Sequence, residues 1–264
     1  MTTPMLEVKD LVKHYGDNKV LDGISFRVFR GETKIIIGAS GSGKSTILKL
    51  IMALERPDEG RIWIDGQDIT DFSESDLVPV RQKIGMVFQE SALFDSMTVR
   101  ENVAYRLYEG GVDEDEIDSR VRENLRFVGL EDAIDKYPSE LSGGMKRRVA
   151  LARALISKPE SMLYDEPTAG LDPITSRRIN ELIIALRDLQ EVTGIFVTHR
   201  MRDAFTLASE YAVNGDGITF KKEGKDLCIA NTRFLMLRDG KIIFEGPDEI
   251  LRRSEDEYIK RFLA

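Results

Sequence analysis

The stretch Gly38-Ala-Ser-Gly-Ser-Gly-Lys44-Ser45-Thr46 has the residue types and spacing G-x-x-x-x-G-K-[ST] that grip a polyphosphate. Glycines let successive backbone N–H groups turn inward on phosphate oxygens, Lys44 reaches the β- and γ-phosphates, and Ser45 offers its hydroxyl to Mg²⁺. Gly38, Ser40, Gly41, Ser42, Gly43, Lys44, Ser45 and Thr46 are therefore candidate nucleotide-binding residues. A second grip lies at Leu141-Ser142-Gly143-Gly144-Met145. There Ser142 is a good capping type, and two glycines let an anion approach the free N–H groups and positive dipole end of the helix that follows.

Carboxylates come at Asp165-Glu166, ending the short apolar run Ser161-Met-Leu-Tyr. Asp165 suits the Mg²⁺ shell, and Glu166, pointing elsewhere along the strand, can accept a proton from an attacking water. Gln89 ends another apolar run and can hydrogen-bond both a metal-bound and an attacking water, although most glutamines are simply solvated. His199 stands at the C-terminal end of the run Gly194–Thr198, where α/β sheets bind ligands, and its imidazole can donate one hydrogen bond to a γ-phosphate. Tyr15 offers an aromatic face to an adenine ring, while an ordinary strand-end tyrosine is the plainer reading.

These groups need a frame. Thr33–Ile37 reads as a buried strand feeding the glycine loop, and Ser45–Leu54 as the helix leaving it. Residues 5–29 alternate in two runs split by Tyr15-Gly16-Asp17-Asn18, an antiparallel strand pair expected beside the nucleotide-binding strand. Strands are expected at 61–65, 84–88, 161–165, 194–198, 233–237 and 241–245, with a helix at 74–82. From Glu90 to about Ser157 the pattern turns helical without strands, an inserted subdomain with helices at 99–107, 114–128 and 145–156. Within it Asp113-Glu-Asp-Glu-Ile-Asp118 reads as a solvated first helical turn rather than a metal site. Ile174–Gln190 reads as a helix, Ile218–Lys221 with Leu227–Ala230 as an additional β-hairpin, and Glu255–Ala264 as one short helix.

Composition narrows the class. The 264 residues are 42% hydrophobic, enough for one large α/β domain, and the net charge of −8 with no basic block argues against nucleic acid. A single cysteine, Cys228, excludes an internal disulfide and fits reducing, cytoplasmic surroundings. No signal-peptide core and no run of about 18 apolar residues occurs, so any membrane span is expected in another subunit.

Walker A at 38–45, Gln89, the 141–145 signature, Asp165-Glu166, the Ala169-Gly-Leu-Asp172 turn and His199 occur together in this order. The chain thereby resembles, over nearly its whole length, the ATP-binding subunit of ABC transporters. The resemblance implies an α/β P-loop NTPase (RecA-like) core over 1–89 and 158–246, with an N-terminal antiparallel β subdomain and a helical subdomain at 90–157. The hairpin insertion at 211–232 departs from that ABC-ATPase pattern, being longer than the family needs, and reads as a surface embellishment rather than a regulatory contact; 247–264 is expected as a helical tail. It implies ATP and Mg²⁺ held between Walker A of one copy and Ser142-Gly143-Gly144 of a second, in a head-to-tail homodimer. Glu166 would be the general base, His199 the γ-phosphate sensor, Gln89 the link to a transmembrane permease, Asp172 a cross-dimer contact and Tyr15 the adenine platform. Lys44 would serve catalysis, and Ser45, Gln89 and Asp165 the metal.

Met145 departs from the usual glutamine of the signature. Gly-Gly-Met-Lys-Arg-Arg, the stretch Ala92–Val103 and Ile259–Leu263 look like ATPases of MCE-type (Mla-like) phospholipid transport systems. That likeness implies ATP-driven lipid transport at the cytoplasmic face of the inner membrane, with permease chains, an MCE lipid-binding protein and a STAS-domain protein as partners. An importer ATPase for a small polar solute, a soluble ABC ATPase of iron–sulfur cluster assembly and a non-hydrolysing interaction subunit are the competing readings.

Overall fold

The computed structural model describes residues 3–214, 218–222 and 231–263. In chain order the strands and helices are β1 Leu6–Tyr15, β2 Asn18–Val28, β3 Thr33–Gly38, α1 Lys44–Ile51, β4 Glu59–Ile64, β5 Gln67–Asp68, α2 Glu74–Gln82 and β6 Ile84–Val87. Then come α3 Val99–Glu109, α4 Glu114–Phe127, α5 Gly143–Leu155, β7 Ser161–Asp165, α6 Pro173–Gln190, β8 Thr193–Thr198 and α7 Met201–Ser209. The chain closes with β9 Glu210–Asn214, β10 Ile218–Lys222, β11 Thr232–Arg238, β12 Lys241–Gly246, α8 Asp248–Arg252 and α9 Glu257–Leu263.

The central sheet runs β12-β11-β3-β8-β7-β6, parallel except for β12. Its inner strands β3, β7 and β8 are covered on both faces, which is why they read as unbroken apolar runs. Side-chain alternation then sorts them: Ile35 and Ile37 of β3 join one core with α3 to α7, and Ile36 joins a second with α1 and the N-terminal strands. Val99, Val103 and Leu107 of α3, like Ile117, Val121 and Leu125 of α4, recur every four residues and so share one buried helix face. Each such aliphatic side chain gains about 1.5–3 kcal/mol from burial. The acidic start of α4 is a helix terminus as expected, with Asp113 Oδ1 accepting from the Asp115 N–H at 3.0 Å.

The expected antiparallel pair β1 and β2 joins β4 and β5 in a separate antiparallel sheet in the order β2-β1-β4-β5. The expected Ile218 strand is β10, and it pairs with β9, Ile218 opposite Asn214 and Lys222 opposite Glu210. Residues 227–230 lie outside the described residues. The helix expected at 255–264 is α9, preceded by the short α8, and Leu251 and Ile259 anchor the two in the first core.

Candidate functional site

β3 ends at Gly38 and α1 begins at Lys44, so the loop between them sits at the C-terminal edge of the parallel sheet. The loop is pressed against its neighbours. A Cβ at Gly38 would lie 2.7 Å from the Leu237 carbonyl oxygen; one at Gly43, where φ is 94°, would lie 2.6 Å from Leu21 Cδ2. Lys44 is 6% exposed, and its ammonium donates to the Gly38 and Ala39 carbonyls at 3.0 and 2.9 Å. That leaves one N–H for a phosphate oxygen. Burial lowers the Lys44 pKa, opposed by the nearby Glu166 and Asp165 carboxylates. Ser42 Oγ is buried with no hydrogen-bond partner, a spare polar atom inside the loop. Ser45 Oγ donates to Asp165 Oδ1 at 2.7 Å, joining the loop to the end of β7. Burial, reinforced by Glu166, raises the Asp165 pKa. A hydroxyl and a carboxylate oxygen side by side are hard donors that suit Mg²⁺. Gln89 lies exposed on the turn after β6, the strand that pairs with β7.

Glu166, 6% exposed with φ 47°, is bound to the strand next door. Its Oε1 accepts from the His199 backbone N–H at 3.1 Å and lies 2.7 Å from His199 Nδ1. The register of β7 on β8, Asp165 opposite Val197, brings these two post-strand residues together. The sequence reading gave the two separate tasks and no contact between them. With Nδ1–H donating to the carboxylate, Nε2 is the ring atom left for a phosphate and donates to it in the imidazolium form, and the imidazole is 54% exposed.

The loop after β6 is held by residues that sequence reasoning missed. From α5, Arg147 donates to the Phe88 carbonyl at 2.5 Å, and Arg153 donates to the Ala92 and Ser91 carbonyls at 2.7 and 2.9 Å. Ser91 and Ala92 both adopt left-handed φ, 65° and 47°. From α3, the buried Asn102 donates to the Phe94, Met97 and Thr98 carbonyls, each at 3.0 Å. The helix that begins at the signature turn therefore carries the braces on both sides of Gln89. The only sequence signal was two arginines, Arg147 and Arg153, six residues apart on a helix that also carries Lys146 and Arg148.

Ser142 caps α5, its Oγ accepting from the Met145 N–H at 3.3 Å. Gly144 has no room for a side chain: a Cβ would lie 2.2 Å from Thr175 Cγ2. That contact sets the signature turn beside the start of α6, where Asp172 Oδ1 accepts the Ile174 and Thr175 N–H groups at 3.0 Å each. A hydrogen bond from the Thr175 side chain, then these backbone N–H groups, lowers the Asp172 pKa, so the residue expected as a cross-dimer contact is first a helix cap. Next to it Ile174 is 84% exposed. Among the described residues no hydrogen bond joins Ser142–Gly144 to the Gly38–Thr46 loop. Tyr15 ends β1, half exposed, its hydroxyl donating to Glu55, which also pairs with Lys49 of α1 at 3.2 Å. Burial, then Glu55, raises the Tyr15 pKa.

Residues 21–169 match the family described as ABC transporter. The chain belongs to that family. Cassettes of this ABC transporter family bind ATP with Mg²⁺, for which the loop, Ser45 and Asp165 have the donors. GbuA, a glycine betaine/carnitine transport ATP-binding protein of Listeria monocytogenes, is 36% identical over 256 residues, 96% of this chain but 59% of GbuA. The Arabidopsis thaliana protein TRIGALACTOSYLDIACYLGLYCEROL 3, chloroplastic, is 39% identical over 267 residues, 98% of this chain and 73% of that protein. Among solved structures, a dimeric post-hydrolysis state of the ATP-binding cassette MJ0796 bound to ADP and Pi matches with a TM-score of 0.77 and 32% identity. The match covers 92% of this chain and 98% of that one. No described helix is long and apolar enough to cross a membrane.

Proposed function

We propose that this chain is the ATP-hydrolysing motor of a membrane transporter, acting as a head-to-tail pair of copies that sandwich ATP. The observation that carries this reading is the arrangement of the groups. Lys44, Ser45, Asp165, Glu166 and His199 converge at one sheet edge, while a second phosphate grip, Ser142–Gly144, lies on the surface beside Asp172 and Ile174. One copy holds the triphosphate by the loop N–H groups and the third donor of Lys44. A second copy closes it with the N–H groups of its signature turn. Ser45 and Asp165 hold Mg²⁺, which when bound neutralises phosphate charge and orients the terminal group. Glu166 takes the proton of the attacking water; His199 Nδ1 keeps that carboxylate aimed, and Nε2 faces the γ-phosphate. Gln89 orients water and answers to the permease through its braced loop.

Glu166→Gln keeps the hydrogen-bonding shape but not the base. It is expected to retain ATP binding, to lower turnover by about 10²-fold or more, and to accumulate an ATP-bound dimer in size-exclusion chromatography. Turnover equal to wild type would move the base elsewhere.

For cargo we favour a membrane lipid, handled through a separate permease to which the chain is peripheral at the cytoplasmic face. The support is the Arabidopsis relative, whose printed name is that of a galactolipid and which aligns over nearly all of this chain. A small polar solute is the second reading, supported by the betaine/carnitine name of GbuA. That transport name also weighs against iron–sulfur cluster assembly, and an MCE protein and a STAS-domain protein find no support in either name. Purifying the complex from membranes through this chain and analysing the bound cargo separates the two. Lipid retained in stoichiometric amount supports the first, and a co-purifying solute-binding protein supports the second.

A further inference from the structure

One buried carboxylate beneath the catalytic pair takes no part in the chemistry above. Asp203, on the first turn of α7, is 3% exposed. Its Oδ2 accepts from Thr168 Oγ1 at 2.7 Å and lies 3.4 Å from Arg200 Nε, and its Oδ1 accepts from Asn180 Nδ2 at 3.0 Å. Arg200 in turn donates to the Thr168 carbonyl at 2.6 Å and to Ser176 Oγ at 3.1 Å. The partners come from three places. Thr168 is two residues past Glu166 and four before Asp172, Arg200 directly follows His199, and Ser176 and Asn180 lie on α6, the helix capped by Asp172.

A buried anion is costly unless its hydrogen bonds are complete, and well-packed apolar residues of equal volume would fill the same space at least as stably. What an apolar cluster would not do is fix three backbone segments at defined distances from one oxygen pair. Two of those segments carry Glu166 and His199, whose 2.7 Å contact depends on their relative placement. The third begins at the exposed Asp172–Ile174 turn.

We propose that Asp203 is a positioning residue that ties the turn facing a second copy to the Glu166–His199 pair, so that docking at Asp172–Ile174 sets the geometry of the base. The inference rests on the head-to-tail reading above. It distinguishes Asp203 from an ordinary buried polar residue, because its loss acts on turnover through His199.

The test uses the full chain with Asp203→Asn, which keeps the volume but not the charge. We expect kcat for ATP to fall roughly 10- to 100-fold, the cost of a small misplacement of a catalytic group, with KM within about twofold and ATP binding retained. In a His199→Ala background the same substitution should cost less than about twofold, because its route to the base is already cut. Wild-type kcat in Asp203→Asn, or an undiminished cost in the His199→Ala background, overturns the proposal. If Asp203→Asn does not fold, Thr168→Val removes the same 2.7 Å bond at similar volume and is held to the same two outcomes. The Glu166→Gln dimer assay keeps the two failures apart. Absence of the trapped dimer refutes the head-to-tail reading; its presence with wild-type kcat in Asp203→Asn refutes only this one.

Discussion

Asp165 sits where neighbours pull its charge in opposite directions. Burial, the dominant effect, and Glu166 raise its pKa, while Ser45 and Lys44 lower it. A carboxyl whose folded pKa exceeds its unfolded value binds a proton more tightly when folded. The resulting destabilisation is fully present above the folded pKa and fades as pH falls through it. Asp165→Asn keeps an acceptor for Ser45 and removes the charge, so the nucleotide-free protein should melt higher at pH 7. A rise of about 2–4 °C is expected, the shift that roughly 1 kcal/mol produces at this size. The gain should shrink as the solution is acidified toward the folded pKa, and Mg²⁺-dependent nucleotide binding should be lost. Differential scanning calorimetry across pH checks the first, and a fall in melting temperature at pH 7 would contradict it. Lys44, Ser45 and Asp165 were legible in the sequence because local spacing alone defines a phosphate loop and a strand-end carboxylate. The bond between Glu166 and His199 was not, since it spans 33 residues and exists only through the pairing of β7 with β8.

At the level of elements, Gly144 is the tightest join between α5 and α6. Gly144→Ala drives a methyl into Thr175 Cγ2, so the signature turn or the start of α6 must shift. We expect ATP turnover to drop about tenfold or more, given how steeply rate depends on placement. Adding Thr175→Ser, which removes the clashing methyl and keeps the backbone N–H that Asp172 caps, should restore it to within about threefold. Steady-state ATPase assays of the single and double variants decide this; no recovery in the double variant would place the defect elsewhere. Periodicity located α2 and strand β7 at their observed bounds because a helix face and a strand's run of apolar residues leave direct marks. Beyond the β1–β2 pair, which strands join them left none. β1 and β2 could satisfy the same alternation in either sheet, and β10 found β9 because Glu210–Asn214 continues straight out of α7 to lie beside it. The arginine braces on the Gln89 loop were hidden for a related reason: they act on backbone carbonyls, which carry no residue identity.

As a whole molecule the chain has two phosphate grips that do not meet and a net charge of −8. Like charge opposes association of bare copies, and in the head-to-tail arrangement proposed above the two faces would come together over a nucleotide that neither completes alone. The purified chain is expected to run mainly as a monomer without ATP. Light scattering that shows a tight nucleotide-free dimer at micromolar concentration would argue against this. Because Ser142–Gly144 and the Gly38–Thr46 loop of one chain would serve different pockets, a copy damaged at either place spoils a pocket otherwise built from sound parts. Alleles of that kind should poison mixed assemblies, behaving in the cell as dominant rather than recessive lesions.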